Sequence, residues 1–276
     1  MIDSSKYKNV DRIDLLLKAL DDEVYPETLF KYRGVKRATQ ILTDLSFRFS
    51  SPASFNDPFD CSLDEVPHYK SSEIKSWLKS VFSSATFSKI SSQFPGLNYR
   101  AALNPIQQDK RILTEWVRDA KENAINSRGV LALSKRFDEI LLWSHYAESQ
   151  AGVAIELELR KDPSFFLMPR NMDYEDVYTP TNYIADDFET IDKVLRTKSS
   201  HWKYEDEVRI YKKDTANKDV KINPKAIKSV YFGIKANDAA MQNIMAICQN
   251  PNLKHVKFFK GEKVYGQFKI NFVPVK

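Results

Sequence analysis

Residues 47–61 read F-R-F-S-S-P-A-S-F-N-D-P-F-D-C and join a short strand to an unusual loop. Apolar side chains alternate with polar ones at the start of this stretch, which is typical of a strand with one buried face. The sequence N-D-P at 56–58 then predicts a turn, because Asn and Asp side chains bond their own backbone and proline restricts φ. The alternating apolar residues are Leu45, Phe47 and Phe49.

Two large aromatic side chains, Phe55 and Phe59, lie inside this polar turn. A loop that keeps aromatic residues beside Asn56 and Asp57 is expected to be anchored on the core with its polar groups held in place, and binding sites are often presented in this way. An ordinary strand exit, with phenylalanine anchors and aspartate caps, explains the same residues. The sequence leaves both interpretations open.

The chain has 276 residues, of which 42% are hydrophobic and 12% aromatic, enough to form a substantial core. We expect a single domain over residues 1–276, since no segment is rich enough in Pro, Gly or Ser to mark a linker. The net charge of +5 permits an anionic ligand but does not require nucleic acid. With seven glycines, the chain has no Gly-rich phosphate loop.

The sequence also predicts a cytoplasmic protein. Cys61 and Cys248 are expected to be reduced thiols, although a disulfide between them stays open. The first residues, M-I-D-S-S-K-Y-K, lack the apolar segment of a signal peptide. No apolar run approaches the ~20 residues needed to cross a bilayer, so we expect no membrane interaction.

Short strands and helices follow one another irregularly, which predicts an α+β fold with mixed or antiparallel short-stranded sheets. Residues 70–128 read as all-helical and are expected to form an insertion between strand-rich parts, either a packing bundle or a cap over a site. The predicted helices are 11–20, 38–44, 71–94, 105–124, 137–148, 188–196 and 238–248. The predicted strands are 29–33, 45–49, 129–134, 152–159, 174–178, 202–211, 230–234, 255–259 and one or two within 264–273.

Several well-known catalytic signatures are missing from the sequence. It contains no GxGxxG, P-loop, HExxH or GxSxG motif, and its four histidines do not have metal-ligand spacing. A nucleophilic pair of Cys61 and His145 is one interpretation. The alternative is that Cys61 is a small buried hydrophobic residue, which is the commoner role of a free cysteine.

Acidic residues at 205–207 form the first polar candidate, within W-K-Y-E-D-E-V-R. On a strand, Glu205 and Glu207 share one face and Asp206 lies on the other. Two carboxylates on one face repel each other, which raises the pKa of at least one unless cations compensate. A solvated acidic edge balanced by Lys203 and Arg209 is the alternative explanation.

The second candidate is W-S-H-Y-A at 143–147. Trp143, His145 and Tyr146 suit stacking on a planar ring together with hydrogen bonding, and buried aromatic packing explains them equally well. A third candidate is Tyr32-Arg33 at the end of an early strand. Its arginine suits bidentate binding of a phosphate, or pairing with one of the acidic residues.

Five segments in this order resemble a large bacterial family of unknown function. They are L-F-K-Y-R at 29–33, the F-R-F-S-S-P-A-S-F-N-D-P-F-D segment at 47–60, L-L-W-S-H-Y-A at 141–147, G-V-A-I-E-L at 152–157 and W-K-Y-E-D-E-V-R-I at 202–210. The likeness covers about residues 29–235, and the N-D-P-F-D and W-S-H-Y-A signatures carry it. This family likeness by itself implies no activity.

The order of an arginine, a serine pair and E-D-E-V is also similar to the R-S-E pattern of ADP-ribosyltransferases. The likeness implies a split sheet, NAD as substrate and cleavage of the nicotinamide glycosidic bond through an oxocarbenium-like transition state. A fixed carboxylate suits this chemistry because positive charge develops on the ribose. The S-T-S of that pattern appears here only as F-S-S-P, and N-D-P-F-D has no counterpart in it.

The ADP-ribosyltransferase likeness assigns roles to particular residues. Glu207 would be the catalytic carboxylate, supported by Glu205, with Arg33 on the NAD phosphates. Ser50 and Ser51 would support the nicotinamide pocket. The remaining expected ligand contacts are Tyr32, Asn56, Asp57, Trp143, His145 and Tyr146.

Three functional hypotheses follow from these residues. The first is an NAD-consuming ADP-ribosyltransferase or NAD glycohydrolase, acting as a toxin or phage-defence effector on water, a protein or a nucleic acid, with an antitoxin or regulator as partner. The second is a nucleic-acid-acting enzyme that holds Mg²⁺ with Asp57, Asp60, Glu205 and Glu207, since hard oxygen ligands suit Mg²⁺. The third is a non-catalytic sensor of a nucleotide or phage protein.

Overall fold

The computed structural model describes residues 11–84 and 98–275 and has an α+β fold with mixed and antiparallel sheets, as predicted. The helices are α1 (Arg12–Asp21), α2 (Val35–Asp44), α3 (Ser71–Ser83), α4 (Tyr99–Gln108), α5 (Lys110–Asn126), α6 (Ile140–Tyr146), α7 (Asp187–Arg196) and α8 (Asp238–Ile247). The strands are β1 (Thr28–Arg33), β2 (Ser46–Phe49), β3 (Gly129–Ser134), β4 (Val153–Glu158), β5 (Arg170–Asn171), β6 (Asp173–Tyr174), β7 (Thr197–Lys198), β8 (Glu207–Lys212), β9 (Lys218–Lys221), β10 (Ile227–Phe232), β11 (Lys257–Lys263) and β12 (Ile270–Val275).

Eight of these strands form the main sheet, in the order β12-β11-β10-β4-β1-β3-β8-β5. Strands β10 and β11 are parallel, and the other neighbours are antiparallel. Two small sheets accompany it: β2 pairs with β9 antiparallel, and β6 pairs with β7 parallel. The sheets therefore mix both strand directions.

The main sheet opens in its middle, between β1 and β3. Strand β1 pairs with β4 over six positions, and β3 pairs with β8 over six positions. In contrast, β1 and β3 pair only at Phe30 and Ser134. The two strands separate beyond this point, and the separation creates space inside the sheet.

Three apolar clusters hold the described part of the chain together. The largest packs α1, α2 and α8 against the sheet and includes Phe47 and Phe49 of β2. A second joins α3, α4, α5 and α7 to Val130 of β3. The third is largely aromatic and packs α6 against Tyr32 and its neighbours on β1. The opening between β1 and β3 therefore lies where strands from all three clusters meet.

Residues 70–128 contain α3, α4 and α5, with no strand in their described part. The first predicted helix, 71–94, ends at Ser83, and its last part falls in 85–97, outside the described residues. The second predicted helix, 105–124, is wrong in being continuous, because the observed helix breaks at Asp109 between α4 and α5. The Asp109 side chain accepts a hydrogen bond from Arg111 N and thereby caps α5.

The predicted strand over 202–211 is also wrong in its first half. Residues Ser200–Glu205 form a 3-10 helix, and Asp206 has a left-handed backbone with φ 41°. The strand begins only at Glu207. Aspartate tolerates this conformation better than most residues, which lets the chain turn sharply there.

No helix within the described residues is long and apolar enough to cross a membrane.

Candidate functional site

A cleft of about 240 Å³ occupies the opening between β1 and β3. Residues on β1, β3 and β8 line it, together with the loop after β2 and the end of α6. Its polar side chains include Lys31, Arg33, Ser50, Asp60, Tyr146, Lys198, Glu205, Glu207 and Arg209. Charged groups on both sides therefore face the same space.

One side of the cleft is a network of five buried charges: Asp60, Lys198, Glu205, Glu207 and Arg209, here called the charge network. Lys198 Nζ lies 2.6 Å from Glu205 Oε2 and 3.0 Å from Glu207 Oε2. The i, i+2 spacing predicted that the two glutamates point the same way. Their shared lysine shows that they do, although the 3-10 helix and the turn at Asp206 bring Glu205 into place.

Arg209 connects the other members of the charge network. Its Nε donates to Glu207 Oε1 at 2.6 Å, and its two terminal nitrogens donate to the two oxygens of Asp60 at 2.9 and 2.6 Å. Bidentate pairing of this kind is the strongest geometry available to an arginine. Three carboxylates thus share two cations, which leaves one negative charge in excess when all five groups are ionised.

The two glutamates have opposite pKa shifts. Burial alone would raise the pKa of Glu207, but Arg209 and Lys198 outweigh burial and lower it to about 2. Burial raises the pKa of Glu205, and Glu207 adds to this effect, while Lys198 and the Tyr146 hydroxyl oppose it. Glu205 therefore takes up a proton first as the pH falls.

Two tyrosine hydroxyls contact the glutamates of the charge network. Tyr146, at the end of α6, donates to Glu205 Oε1 at 2.7 Å. The hydroxyl of Tyr174 accepts from Glu207 N at 2.8 Å. Glu205 is consequently held by one neutral donor and one lysine, whereas arginine and lysine occupy both oxygens of Glu207.

Lys31 and Arg33 of β1 line the side of the cleft opposite the charge network. This side is here called the β1 wall. The Lys31 amine donates to Ala132 O across the opening, and Arg33 donates to Tyr32 O at 3.1 Å. Neither pairs with a carboxylate in the part of the chain that is described. Burial lowers the pKa of Lys31 well below its usual value and lowers that of Arg33 to about 10.

The structure brings seven of the eleven residues predicted from the ADP-ribosyltransferase likeness to the cleft. They are Tyr32, Arg33, Ser50, Asn56, Tyr146, Glu205 and Glu207. Ser50 reaches it because its backbone pairs with Val130 of β3 in both directions, at 3.0 and 2.8 Å. Tyr32 is held by a hydrogen bond from its hydroxyl to Arg136 O at 2.9 Å.

Four other predicted ligand contacts do not line the cleft. Ser51 is buried and donates to Asn126 O at 3.0 Å. Asp57 accepts from Phe59 N at 2.9 Å and so caps its own turn. Trp143 is fully buried against Tyr32, and its indole nitrogen donates to Phe137 O. His145 is exposed beside aromatic rings outside the cleft.

The loop after β2 is anchored by one of its two phenylalanines. Phe55 lines the cleft, with the Arg209 guanidinium 5.3 Å from its ring centre. Phe59 is 80% exposed, so the expectation that both rings anchor the loop is wrong for Phe59. The principal polar anchor is Asp60, through its bidentate bond to Arg209.

Cys61 contacts the charge network and not a histidine. Its sulfur lies 3.4 Å from Asp60 Oδ1 and 3.3 Å from an Arg209 nitrogen. Burial raises the pKa of this thiol, while Arg209 opposes the effect. A high pKa keeps the sulfur protonated and unreactive, so the structure favours the buried hydrophobic role over the nucleophilic pair.

Sequence reasoning missed Lys31 and Lys198 as site residues and treated Arg209 only as a balancing surface charge. The sequence did indicate a role for Arg209, because residues two apart on a strand point to the same face and Arg209 is two residues after Glu207. Lys31 carried no comparable signal, because a lysine in L-F-K-Y-R is ordinarily solvated. No group of three or more potential metal ligands occurs within the described ranges.

A scan against protein-family models, a search of curated proteins and a search of solved structures each gave no match to this chain. The family likeness drawn from the motifs therefore stays a prediction.

Proposed function

We propose that this protein cleaves the nicotinamide glycosidic bond of NAD, as an ADP-ribosyltransferase or NAD glycohydrolase. The observation that carries the proposal is the charge asymmetry of the cleft, with Glu205 and Glu207 on one side and Lys31 and Arg33 on the other. NAD has a matching asymmetry, because its nicotinamide ring is cationic and its diphosphate is anionic. A ribose between the two would lie near the carboxylates.

Glu205 is better suited than Glu207 to be the catalytic carboxylate. Both oxygens of Glu207 are engaged by Arg209 and Lys198, so little of its charge is left to stabilise a transition state. Glu205 lines the cleft beside Tyr146, and its Oε1 receives only a neutral hydroxyl. We therefore transfer to Glu205 the role that the sequence likeness gave to Glu207.

Catalysis in this arrangement rests on electrostatic stabilisation. Ionised Glu205 would face the oxocarbenium-like ribose as nicotinamide leaves with its bonding electrons. Tyr146 and Lys198 fix the carboxylate before the reaction, so little reorganisation is needed during it. Because Glu205 must be ionised, we expect activity to rise as the pH rises through its elevated pKa.

The size of the cleft limits how NAD would be held. Its volume of about 240 Å³ is smaller than the roughly 300–1,000 Å³ that is usual for small-molecule sites. We expect the nicotinamide riboside half to enter and the adenosine half to lie at the mouth. Whether water, a protein or a nucleic acid accepts the ADP-ribose, and whether the activity serves a toxin or phage defence, are predictions from the likeness alone.

The experiment is to incubate purified protein with NAD labelled in nicotinamide, in the presence of a chelator, and to follow nicotinamide release. Glu205→Gln should lower the rate by about 10²–10³-fold, the usual loss when one fixed electrostatic group is removed from an active site. Glu262→Gln is the matched control, because Glu262 is an exposed glutamate on β11. It should release nicotinamide at the wild-type rate.

Two results would overturn parts of this proposal. Full activity in Glu205→Gln, combined with loss in a folded Glu207→Gln variant, would return the catalytic role to Glu207. Absence of release by the wild type, with and without cell lysate to supply acceptors, would contradict NAD cleavage itself.

A further inference from the structure

Three lysines are buried to the same extent in the described part of the chain. Lys31, Lys121 and Lys198 each expose 7% of their surface. Lys121 pairs with Glu65 at 2.9 Å, and Lys198 pairs with both Glu205 and Glu207. Among the described residues, Lys31 has no carboxylate partner and bonds only the carbonyl of Ala132, although three carboxylates line the same cleft.

An unpaired buried lysine is costly to the fold. Lysine is almost never fully buried without a partner, because its charged form loses its hydration and gains nothing in return. Arg33 follows two residues later on β1, on the same face of the strand, and also lacks a carboxylate partner within the described ranges. The β1 wall therefore presents two basic side chains to the cleft, and in the described part of the chain neither is paired with the carboxylates on the other side.

We propose that Lys31 and Arg33 form an anion subsite for a diphosphate, and that Lys31 takes up a proton when the anion binds. The assignment of that diphosphate to NAD rests on the proposed function. The subsite itself rests on burial, on the shared face of β1 and on the missing partner. It adds Lys31 to the binding residues and makes substrate binding dependent on pH.

The charges around Lys31 support the proton uptake. Burial lowers the pKa of Lys31 most, and Arg33 on the same strand lowers it further. Glu207 and Glu205 across the cleft raise it, and Arg209 lowers it. A bound diphosphate would add negative charge beside the amine and raise its pKa. Affinity should then fall as the pH rises above the pKa of the free lysine, where binding must draw a proton from solvent.

The test is calorimetric titration of the whole protein with inorganic pyrophosphate and, separately, with ADP-ribose at about pH 7.5. Each titration is run in two buffers of different ionisation enthalpy, so that the difference in heat reports protons taken up. Wild type should take up as much as one proton per bound anion. Lys31→Arg, which stays charged, should bind with no uptake from that position.

Lys31→Met should weaken binding of both probes by about 10–100-fold, the loss expected for a hydrogen bond to a charged group. Lys263→Met is the matched control, since Lys263 is an exposed lysine on β11. It should leave affinity and proton uptake unchanged.

The thermal midpoint separates a binding role from a structural one. Because methionine needs no hydration, Lys31→Met should melt at the wild-type temperature or above it. A large fall in the thermal midpoint would show instead that Lys31 stabilises the contact between β1 and β3. If Lys31→Arg also bound the anion with the same proton uptake as wild type, the binding role of Lys31 would be overturned.

The outcomes also separate this proposal from NAD cleavage. Failure of both probes to bind wild type would overturn the subsite even if nicotinamide is released. Binding without proton uptake would overturn the role of Lys31. Binding with uptake, but without release from NAD, would keep the subsite and contradict the proposed function.

Discussion

The two sides of the cleft hold buried charge in opposite ways. In the charge network, Asp60, Glu205 and Glu207 share Lys198 and Arg209, so every charged group has a partner within 3.0 Å. On the β1 wall, the acceptors of Lys31 and Arg33 within residues 11–84 and 98–275 are backbone carbonyls alone. The first arrangement is complete without a ligand, whereas the second is incomplete until an anion arrives.

Because of this difference, one side of the cleft mainly stabilises the fold and the other side mainly binds a ligand. Removing a member of a compensated buried network leaves its partners uncompensated and destabilises the fold. Removing a buried basic group that has no carboxylate partner relieves a cost and harms only the function that needs it. Substitutions in the charge network should therefore change stability, whereas substitutions on the β1 wall should change binding.

Arg209→Met should cause the largest loss of stability. Asp60 and Glu207 would both lose their main cation while staying buried, and breaking a buried pair in this way costs about 3–5 kcal/mol. The measurement is the free energy of unfolding in denaturant. Arg37→Met is the control, because Arg37 forms a partly exposed pair with Asp219, and such pairs contribute about 1 kcal/mol or less. Equal losses in the two variants would contradict the importance of the network.

Glu207→Gln should change how stability depends on pH. The pKa of Glu207 is lowered to about 2, against about 4.3 in an unfolded chain, so its contribution is present above the unfolded value and lost as the pH falls towards 2. This difference corresponds to about 3 kcal/mol. Wild type should therefore lose stability more steeply than Glu207→Gln between about pH 5 and pH 3.

Glu205 acts in the opposite direction over part of this range, because its raised pKa means that the folded protein gains stability as Glu205 takes up a proton. Denaturant midpoints of wild type, Glu207→Gln and Glu205→Gln at several pH values distinguish the two. An identical pH slope in wild type and Glu207→Gln would show that Glu207 does not carry the effect.

The loop at 56–58 should show the smallest effects. Asp57→Ala removes the hydrogen bond to Phe59 N and should cost about 1 kcal/mol. Asn56 is exposed and has no side-chain hydrogen bond within the described ranges, so Asn56→Ala should change the free energy of unfolding by less than about 0.5 kcal/mol. Because Asn56 lines the cleft, its substitution should instead raise the KM for NAD.

Equal destabilisation by the two loop variants would show that the whole N-D-P turn is pinned, as the sequence interpretation expected.

The sequence predicted much of the local structure and part of the site. Period-two patterning placed β1 and β4 because their apolar side chains must reach the cores on alternate sides of the sheet. It failed where one residue changed the backbone direction. Asp206, with a left-handed backbone, delayed the start of the expected strand to Glu207, and Asp109 interrupted an expected helix.

The site was predicted to the extent that its residues lie in local motifs. Glu205, Glu207 and Tyr146 were singled out because carboxylate pairs and aromatic clusters stand out in a sequence. Trp143 was singled out for the same reason, yet its ring is needed for the core. Residue type alone does not distinguish a side chain that lines a cleft from one that packs beneath it.

The sequence alone was enough for the α+β class and for most strands and helices, because these follow from periodicity over a few residues. It singled out Glu205 and Glu207, but the 3-10 helix and the turn at Asp206 are what bring Glu205 beside Glu207. Only the tertiary structure decided which charges are compensated. Arg209 meets Asp60 across 149 positions of chain, and Lys31 faces an opening because β3 separates from β1. Such contacts depend on how segments far apart in the sequence pack together. This packing decides whether a buried charged group is paired, and so stabilises the fold, or is unpaired and can bind a ligand.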